Sequence, residues 1–139
     1  MSLPDGPASY PRQPVITGVE PQVFVTDMAQ ALEFYQARLG FRIGFTYGDP
    51  PFYAQVVRDC ALLNLRHVDR PAIDRTAGPA LLSAAFSVSS AGLLLEDFRS
   101  RGAPIHQPLT REPWHPPGHG NFCIADPDGN LLLFGGLVD

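Results

Sequence analysis

Apolar and polar residues recur along this chain with two different periods, and each change of period marks a new element. The stretch at 19–26, which contains Val23, Phe24 and Val25, predicts a strand, and Asp27 follows it as a helix cap. Apolar side chains then return at helical spacing over 28–39, which predicts a helix with one buried stripe. Gly40 ends that helix in the left-handed conformation, and the alternation at 41–47 predicts a second strand.

The same order of elements occurs twice along the chain. After a turn, two apolar runs at 52–57 and 61–66 predict a hairpin that completes the first copy. The second copy is predicted to hold a strand at 82–88, a helix capped by Ser89 or Ser90 and ended by Gly102, a short strand around Ile105, and a long loop at 107–120. Val25 corresponds to Val88 at an offset of 63 residues, which indicates an internal duplication.

The chain closes on a second hairpin, from Phe122 to Phe134. Two apolar runs flank the sequence Asp-Pro-Asp-Gly-Asn at 126–130, in which the proline presets φ and the aspartates can bond their own backbone. Gly129 can adopt the left-handed conformation that closes a type I turn with a glycine bulge. This hairpin corresponds to the earlier hairpin at an offset of 69 residues, which aligns Asp59 with Asp128.

Two stretches carry a resemblance to a known family. The run Val25-Thr26-Asp27-Met28-Ala29-Gln30-Ala31-Leu32-Glu33-Phe34-Tyr35, continuing to Leu39-Gly40-Phe41, resembles the opening signature of the vicinal oxygen chelate superfamily, which includes the glyoxalase, bleomycin resistance and dioxygenase proteins. The closing hairpin resembles their closing signature. Within that family, the chain looks most similar to the metal-free members of the bleomycin resistance type.

The resemblance implies an α+β fold in which two βαβββ modules form a cupped mixed sheet, usually in a homodimer. We therefore expect a flexible lead-in at 1–16 and a single domain at 17–138, with modules at 17–67 and 80–138 joined by a loop at 68–79. Strand alternation then places every second residue on the cup face. The opposite parity is uniformly apolar and is predicted to pack under the helices.

The resemblance also implies where a metal would bind. The family's enzymes take one ligand from the first and last strand of each module, and the corresponding positions here are Glu20, Asn64, Ser83 and Leu133. Only Glu20 is a good ligand, whereas a catalytic zinc site needs three protein ligands. We therefore predict no metal and no cofactor. It stays open whether the four histidines form a non-standard site: His67, His106, His115 and His119.

A small-molecule pocket is the predicted use of the cup face, because its residues combine an apolar floor with few polar groups. The residues predicted to bind a ligand are Glu20, Gln22, Phe24, Asn64, Arg66, Ser83, Ser87, Trp114 and Leu133. Trp114 suits stacking on a planar group, with sealing of a loop or subunit interface as the alternative. Four more aromatic residues either add to the pocket wall or belong to the core: Phe45, Tyr47, Phe52 and Tyr53.

The net charge and the lengths of the apolar runs limit which molecules the chain is expected to contact. The 139 residues carry a net charge of −4, which disfavours nucleic acid, and no apolar run approaches the roughly 18 residues of a membrane span. Cys60 and Cys123 fit no metal or redox spacing and are predicted to be small core residues in a reducing cytoplasm.

The resulting hypothesis is a metal-free, homodimeric binding protein that sequesters an antibiotic or another aromatic or cationic compound. The alternative is a lyase, isomerase or dioxygenase that uses a divalent metal or a relocated base. In that alternative, Glu20 is the base and Arg66 holds an anion. Whether the chain is an enzyme stays open at this point.

Overall fold

The computed structural model describes residues 12–74 and 81–139 of the chain. Over these residues the chain forms eight strands and two helices. In chain order they are β1 (Gln22–Val25), α1 (Met28–Ala37), β2 (Arg42–Tyr47), β3 (Tyr53–Arg58), β4 (Ala61–His67), β5 (Leu82–Ser90), α2 (Ala91–Ser100), β6 (Ile105–Thr110), β7 (His119–Ala125) and β8 (Leu131–Leu137). None of the helices in the described ranges is long and apolar enough to cross a membrane.

The strands form two four-stranded mixed sheets, ordered β1-β4-β3-β2 and β5-β8-β7-β6. The pairs β1–β4 and β5–β8 are parallel, and all other neighbouring strands are antiparallel. The predicted α+β fold of two βαβββ modules is therefore confirmed. We call the unit from β1 to β4 the first module and the unit from β5 to β8 the second module.

The helices begin and end at the residues that the sequence indicates. The side chain of Asp27 accepts a hydrogen bond from the Gln30 amide at 3.0 Å, and Ser90 accepts one from Leu93 at 3.1 Å, so Ser90 rather than Ser89 is the second cap. Gly40 follows α1 with a φ of 70°. These caps satisfy amide and carbonyl groups that the helix ends leave without partners.

Several strand boundaries differ from the prediction. The first strand begins only at Gln22, after Pro21, while β6 continues to Thr110 through Pro108. The predicted loop at 107–120 is therefore too long at both ends, since β7 also begins earlier than expected. Proline is tolerated in β6 because β6 is an edge strand, where a missing amide need not break a ladder between two strands.

One apolar core spans both modules. Residues of the predicted inward parity, such as Val25, Leu63 and Leu132, are fully buried, and they pack with Tyr35 and Phe98 from the two helices. Cys123 is buried, but Cys60 is exposed because it lies in the turn between β3 and β4. The prediction of a core position is therefore wrong for Cys60.

The closing turn fastens the second module to the first, and its buried carboxylate is the centre of this connection. Asp126 accepts hydrogen bonds from the Tyr35 hydroxyl at 2.8 Å and from the Asn130 side chain at 2.9 Å. Asp128 accepts from the amide and the hydroxyl of Thr26, and Asn130 donates to the Phe24 carbonyl. Burial raises the pKa of Asp126, although its hydrogen bonds from Asn130 and Tyr35 act in the opposite direction.

The turn between β3 and β4 contacts the second module through an ion pair instead. Arg58 Nη1 lies 3.0 Å from Asp97 Oδ2 on α2, and its guanidinium lies over the Phe98 ring. Arg101 also contacts Asp97, at 3.1 Å. Burial alone would raise the pKa of Asp97, but the hydrogen bonds and charges of the two arginines outweigh it, so this pKa is lowered.

We expect Tyr35→Phe to lower the free energy of unfolding by about 1–2 kcal/mol, because it removes one donor from a buried carboxylate. Urea unfolding at neutral pH measures the change. The matched control is Tyr47→Phe, since Tyr47 is 68% exposed and its loss of a hydroxyl should change stability little. Equal effects of the two substitutions would contradict the role given to this contact.

We expect the contribution of Asp97 to stability to depend on pH. Because its pKa is lowered from 3.8 in the folded chain, the contribution is present above that value and is lost as the pH falls through the lowered pKa. Asp97→Asn should therefore reduce the free energy of unfolding at pH 7 by about 1 kcal/mol, the range of partly exposed ion pairs.

Urea unfolding of Asp97→Asn and the wild type at pH 7 and in acid checks this, because the two curves should converge in acid. Asp59→Asn is the control, as its side chain is 89% exposed and lies 3.9 Å from Arg58. A difference between wild type and Asp97→Asn that stays constant with pH would argue against the ion pair.

Candidate functional site

Strand register arranges side chains of the first module in two rows on one face. The four strands β1, β4, β3 and β2 contribute one residue each to a row, and directly opposed residues share a face. One row is Gln22, Asn64, Gln55 and Phe45, and the next is Phe24, Arg66, Tyr53 and Tyr47. We call these eight residues, together with Glu20, the amide face.

Three polar side chains form a closed hydrogen-bond network on the amide face. Gln55 donates from Nε2 to Glu20 Oε1 and to Asn64 Oδ1, both at 3.0 Å. Asn64 donates from Nδ2 to the same Glu20 oxygen at 3.2 Å. Because both amides converge on one oxygen, the Glu20 carboxylate is held in place while its other oxygen has no hydrogen bond within the described ranges.

Aromatic rings lie beside this network. The rings of Phe45 and Tyr53 stack at 6.3 Å with an interplanar angle of 24°, and the Tyr53 hydroxyl donates to Gln22 Oε1 at 2.8 Å. Phe45 is 45% exposed and Tyr47 is 68% exposed, so these rings belong to the surface rather than the core. The amide face therefore combines a fixed carboxylate, carboxamides and accessible aromatic area.

The nine predicted binding residues divide between the two modules. The amide face unites five of them: Glu20, Gln22, Phe24, Asn64 and Arg66. In the second module Leu133 lies opposite Ala85, Ser87 lies opposite Gly135, and Ser83 donates to Asn130 Oδ1 at 3.3 Å. Among the described residues, no hydrogen bond or ring contact joins these three to the five on the amide face.

Trp114 lies apart from both sets, on the loop before β7. It is 77% exposed, and its neighbour His115 anchors the loop by accepting a hydrogen bond from the Glu112 amide at 2.9 Å. The other ring nitrogen of His115 lies 3.0 Å from the Asn121 side chain on β7. Hydrogen bonds of His115 therefore hold the loop in place, while the Trp114 ring is accessible to solvent.

The donor groups do not fit the metal that the fold family implies. Glu20 is the one good ligand of the four corresponding positions, and Asn64 already donates its amide group to that carboxylate. Leu133 has no donor atom, and Ser83 is engaged with Asn130. Within residues 12–74 and 81–139, no group of three or more His, Cys, Asp or Glu is placed to hold a metal ion.

Sequence reasoning missed Gln55, which makes two of the three bonds in the network. The signal was present, because Tyr53 and Gln55 alternate along β3 with the same parity that points Asn64 and Arg66 of β4 to the amide face. The prediction took the polar residues of the cup face from the first and last strands of each module, and it named Phe45, Tyr47 and Tyr53 only as pocket wall or core. The register places these three aromatic residues on the amide face together with Gln55.

Comparison with known proteins identifies the relatives of this chain. A family model described as Glyoxalase/Bleomycin resistance protein/Dioxygenase superfamily matches residues 16–134. No curated protein is similar enough in sequence to count as a relative.

Several solved structures share the fold at low sequence identity. A glyoxalase/bleomycin resistance protein/dioxygenase from Alicyclobacillus acidocaldarius has a TM-score of 0.71 and 22% identity, covering 87% of this chain and 91% of its own. The bleomycin-binding protein of Streptomyces verticillus, solved with copper(II)-bleomycin, has a TM-score of 0.69 and 20% identity, covering 88% and 97%. A lactoylglutathione lyase from Agrobacterium tumefaciens has a TM-score of 0.64 and 18% identity, covering 88% and 95%.

Proposed function

The chain belongs to the Glyoxalase/Bleomycin resistance protein/Dioxygenase superfamily, and from this premise we propose that it binds a small molecule on the amide face without transforming it. The proposed ligand is planar and cationic, such as an antibiotic or a related aromatic compound. The superfamily contains both binding proteins and enzymes, so the choice between them depends on the residues of this chain.

The observation that carries the proposal is the fixed carboxylate of Glu20. Gln55 and Asn64 bond the same Glu20 oxygen, which leaves the other oxygen to accept a hydrogen bond or to pair with a positive charge. The stacked rings of Phe45 and Tyr53 lie on the same face, where they offer a flat surface to a planar or cationic group. A ligand with a flat cationic part would use both features.

The same donor set argues against chemistry of the metal-dependent type. A general base also needs a carboxylate that is held in place. In the alternative of a lyase, isomerase or dioxygenase, Glu20 would therefore be the general base. That alternative needs further groups to hold a metal or stabilise an anion. On the amide face, Arg66 is the residue that could stabilise an anion, and it lies between Phe24 and Tyr53 in its row.

We propose that a second copy of the chain covers the amide face. Small-molecule sites bury most of the ligand surface, whereas Phe45 and Tyr47 of the amide face are 45% and 68% exposed in a single copy. A surface with this much exposed aromatic area is typical of an interaction site. The homodimer would place residues of the partner over the bound molecule and remove the aromatic side chains from water.

Isothermal titration with bleomycin tests the binding proposal. We expect binding by the wild type and about tenfold weaker binding by Glu20→Gln, which corresponds to about 1.4 kcal/mol from the lost charge. Glu33→Gln is the matched control, because Glu33 is an exposed glutamate on α1 and the charge change is the same. If Glu20→Gln and Glu33→Gln bind bleomycin with equal affinity, the amide face is not the binding site. If the wild type does not bind bleomycin, the proposal of an antibiotic ligand is wrong.

Metal analysis decides between binding and metal-dependent chemistry. Protein purified without chelator should carry no stoichiometric Ni, Zn, Mn or Fe, because the donor set lacks the required ligands. A stoichiometric metal whose removal abolishes lyase or dioxygenase turnover would replace the proposed function with the enzymatic one.

Sedimentation equilibrium tests the dimer. The wild type should have the mass of two chains, and Phe45→Asp should shift it toward one, because a charge would be buried among apolar groups. Leu93→Asp is the control, since Leu93 is exposed on α2 and is not one of the residues of the amide face. A wild type that stays a single chain at high concentration would contradict the proposed cover.

A further inference from the structure

A cleft of about 810 Å³ lies between the two modules, and its lining includes Val19 and Pro21, the chain neighbours of Glu20. Its walls are the end of β5, the start of α2, and the turn between β3 and β4. Aromatic and aliphatic side chains form most of the lining, including Phe41, Phe86, Val88 and Phe98. Ser87 is the one predicted binding residue among the lining residues, and no residue of the amide face is among them.

The internal duplication provides a template for this cleft. Under the offsets of 63 and 69 residues, the end of β5 and the β3–β4 turn correspond to the end of β1 and the closing turn. At that second location the backbone amide of Thr26 donates to the Asp128 carboxylate at 3.1 Å, and the Thr26 hydroxyl donates to it at 2.7 Å. The closing turn therefore binds a carboxylate at the place that corresponds, in the other copy of the duplication, to the cleft.

The residue that corresponds to Thr26 is Ser89, which also carries an amide and a hydroxyl and lines the cleft. Its counterpart for the carboxylate, Asp59, also lines the cleft, but its side chain is 89% exposed and pairs with Arg58 at 3.9 Å. Within the described residues, Asp59 makes no hydrogen bond to Ser89, so the bonds of the closing turn have no equivalent here.

The remaining substitutions explain why the cleft is apolar and open. Tyr35 corresponds to Phe98, and Asn130 corresponds to Ala61, so the hydroxyl and the carboxamide that fill the closing junction are replaced by groups without donors. Phe98 and Ala61 both line the cleft. Loss of these polar side chains leaves space beside an apolar wall, which suits a ligand with an apolar body.

The charges at the cleft are balanced. Arg58, Asp59 and Asp97 line it, and Arg101 contacts Asp97 from outside the lining, so the four residues of this cluster carry no net charge. The Asp59 side chain is 89% exposed, so water and salt screen its charge. A ligand carboxylate would therefore depend on hydrogen bonds from Ser89 rather than on an excess of positive charge.

We propose that the cleft binds a monocarboxylic acid with an apolar body. Its carboxylate takes the amide and hydroxyl hydrogen bonds of Ser89, as Asp128 does with Thr26, and its apolar part packs against the partly exposed side chains of Phe86, Val88 and Leu94. This site contains no residue of the amide face and takes a different ligand from the one proposed there.

Titration with 4-phenylbutanoate, with 4-phenylbutanamide as the matched neutral compound, tests the proposal. The acid should bind in the millimolar range or tighter and the amide at least about tenfold more weakly, since hydrogen bonds to a charged group are the stronger ones. Ser89→Ala should weaken binding of the acid about fivefold to tenfold through loss of the hydroxyl. Ser100→Ala, with its hydroxyl bonded to the Asp97 carbonyl, should leave the affinity unchanged.

Alkylation of Cys60 gives a second measurement that does not depend on affinity. Cys60 is exposed and lines the cleft, while Cys123 is buried, so iodoacetamide should label Cys60 alone in the folded chain. Bound 4-phenylbutanoate should slow this labelling, and Glu20→Gln should not alter the protection. Equal binding of acid and amide, no effect of Ser89→Ala, or unprotected Cys60 would each overturn the proposal. Loss of acid binding in Glu20→Gln would instead place the acid on the amide face.

Discussion

The buried carboxylate of Asp126 is the interaction on which the arrangement of the two modules depends. An ionised group removed from water is costly unless hydrogen bonds replace its hydration. Asp126 receives four such bonds, from the amides of Asp128 and Asn130 within its own turn, from the Asn130 side chain, and from the Tyr35 hydroxyl on α1. The same group therefore shapes the closing turn and attaches it to the other module.

The two halves of the duplication meet each other in different ways. The closing turn joins the first module through polar side chains, of which Asp126 and Asn130 are buried. The corresponding turn of the first module has Val57 and Ala61 at those positions and depends on the ion pair between Arg58 and Asp97. One rigid junction is sufficient to fix the modules relative to each other, because the core is continuous between them. The other junction lacks this polar filling and is open as a cleft.

Local sequence patterns predicted the elements well, since caps, alternation and turn residues act over a few positions. Asp27, Ser90, Gly40 and the 126–130 turn have the predicted roles. The prediction failed where the structure depends on how one strand pairs with another, because local patterns do not show strand pairing. Pairing with β7 keeps Pro108 inside a strand, and Gln55 reaches the site only through the β3–β4 register.

The relation between the modules also lies beyond local pattern, because the contacts that set it join residues about 40 to 106 positions apart, such as Arg58 with Asp97 and Phe24 with Asn130. Periodicity shows which face of a strand is apolar, but it does not show which side chain of the other module will meet it. This is why the predicted set of nine binding residues divides into groups, whereas the inward parity was predicted correctly for Val25, Leu63 and Leu132.

The hydrogen bonds of the amide face leave little room for a metal there. Asn64 lies at a position where the family resemblance implies a metal ligand, but its carbonyl accepts from Gln55 and its amide group donates to Glu20. A metal at this point would have to displace those bonds and would find no further strong donor, since Leu133 has none. The bonds instead fix the orientation of the Glu20 carboxylate before any ligand arrives. A preorganised charge costs little entropy on binding, which supports the proposal of a cationic ligand on the amide face.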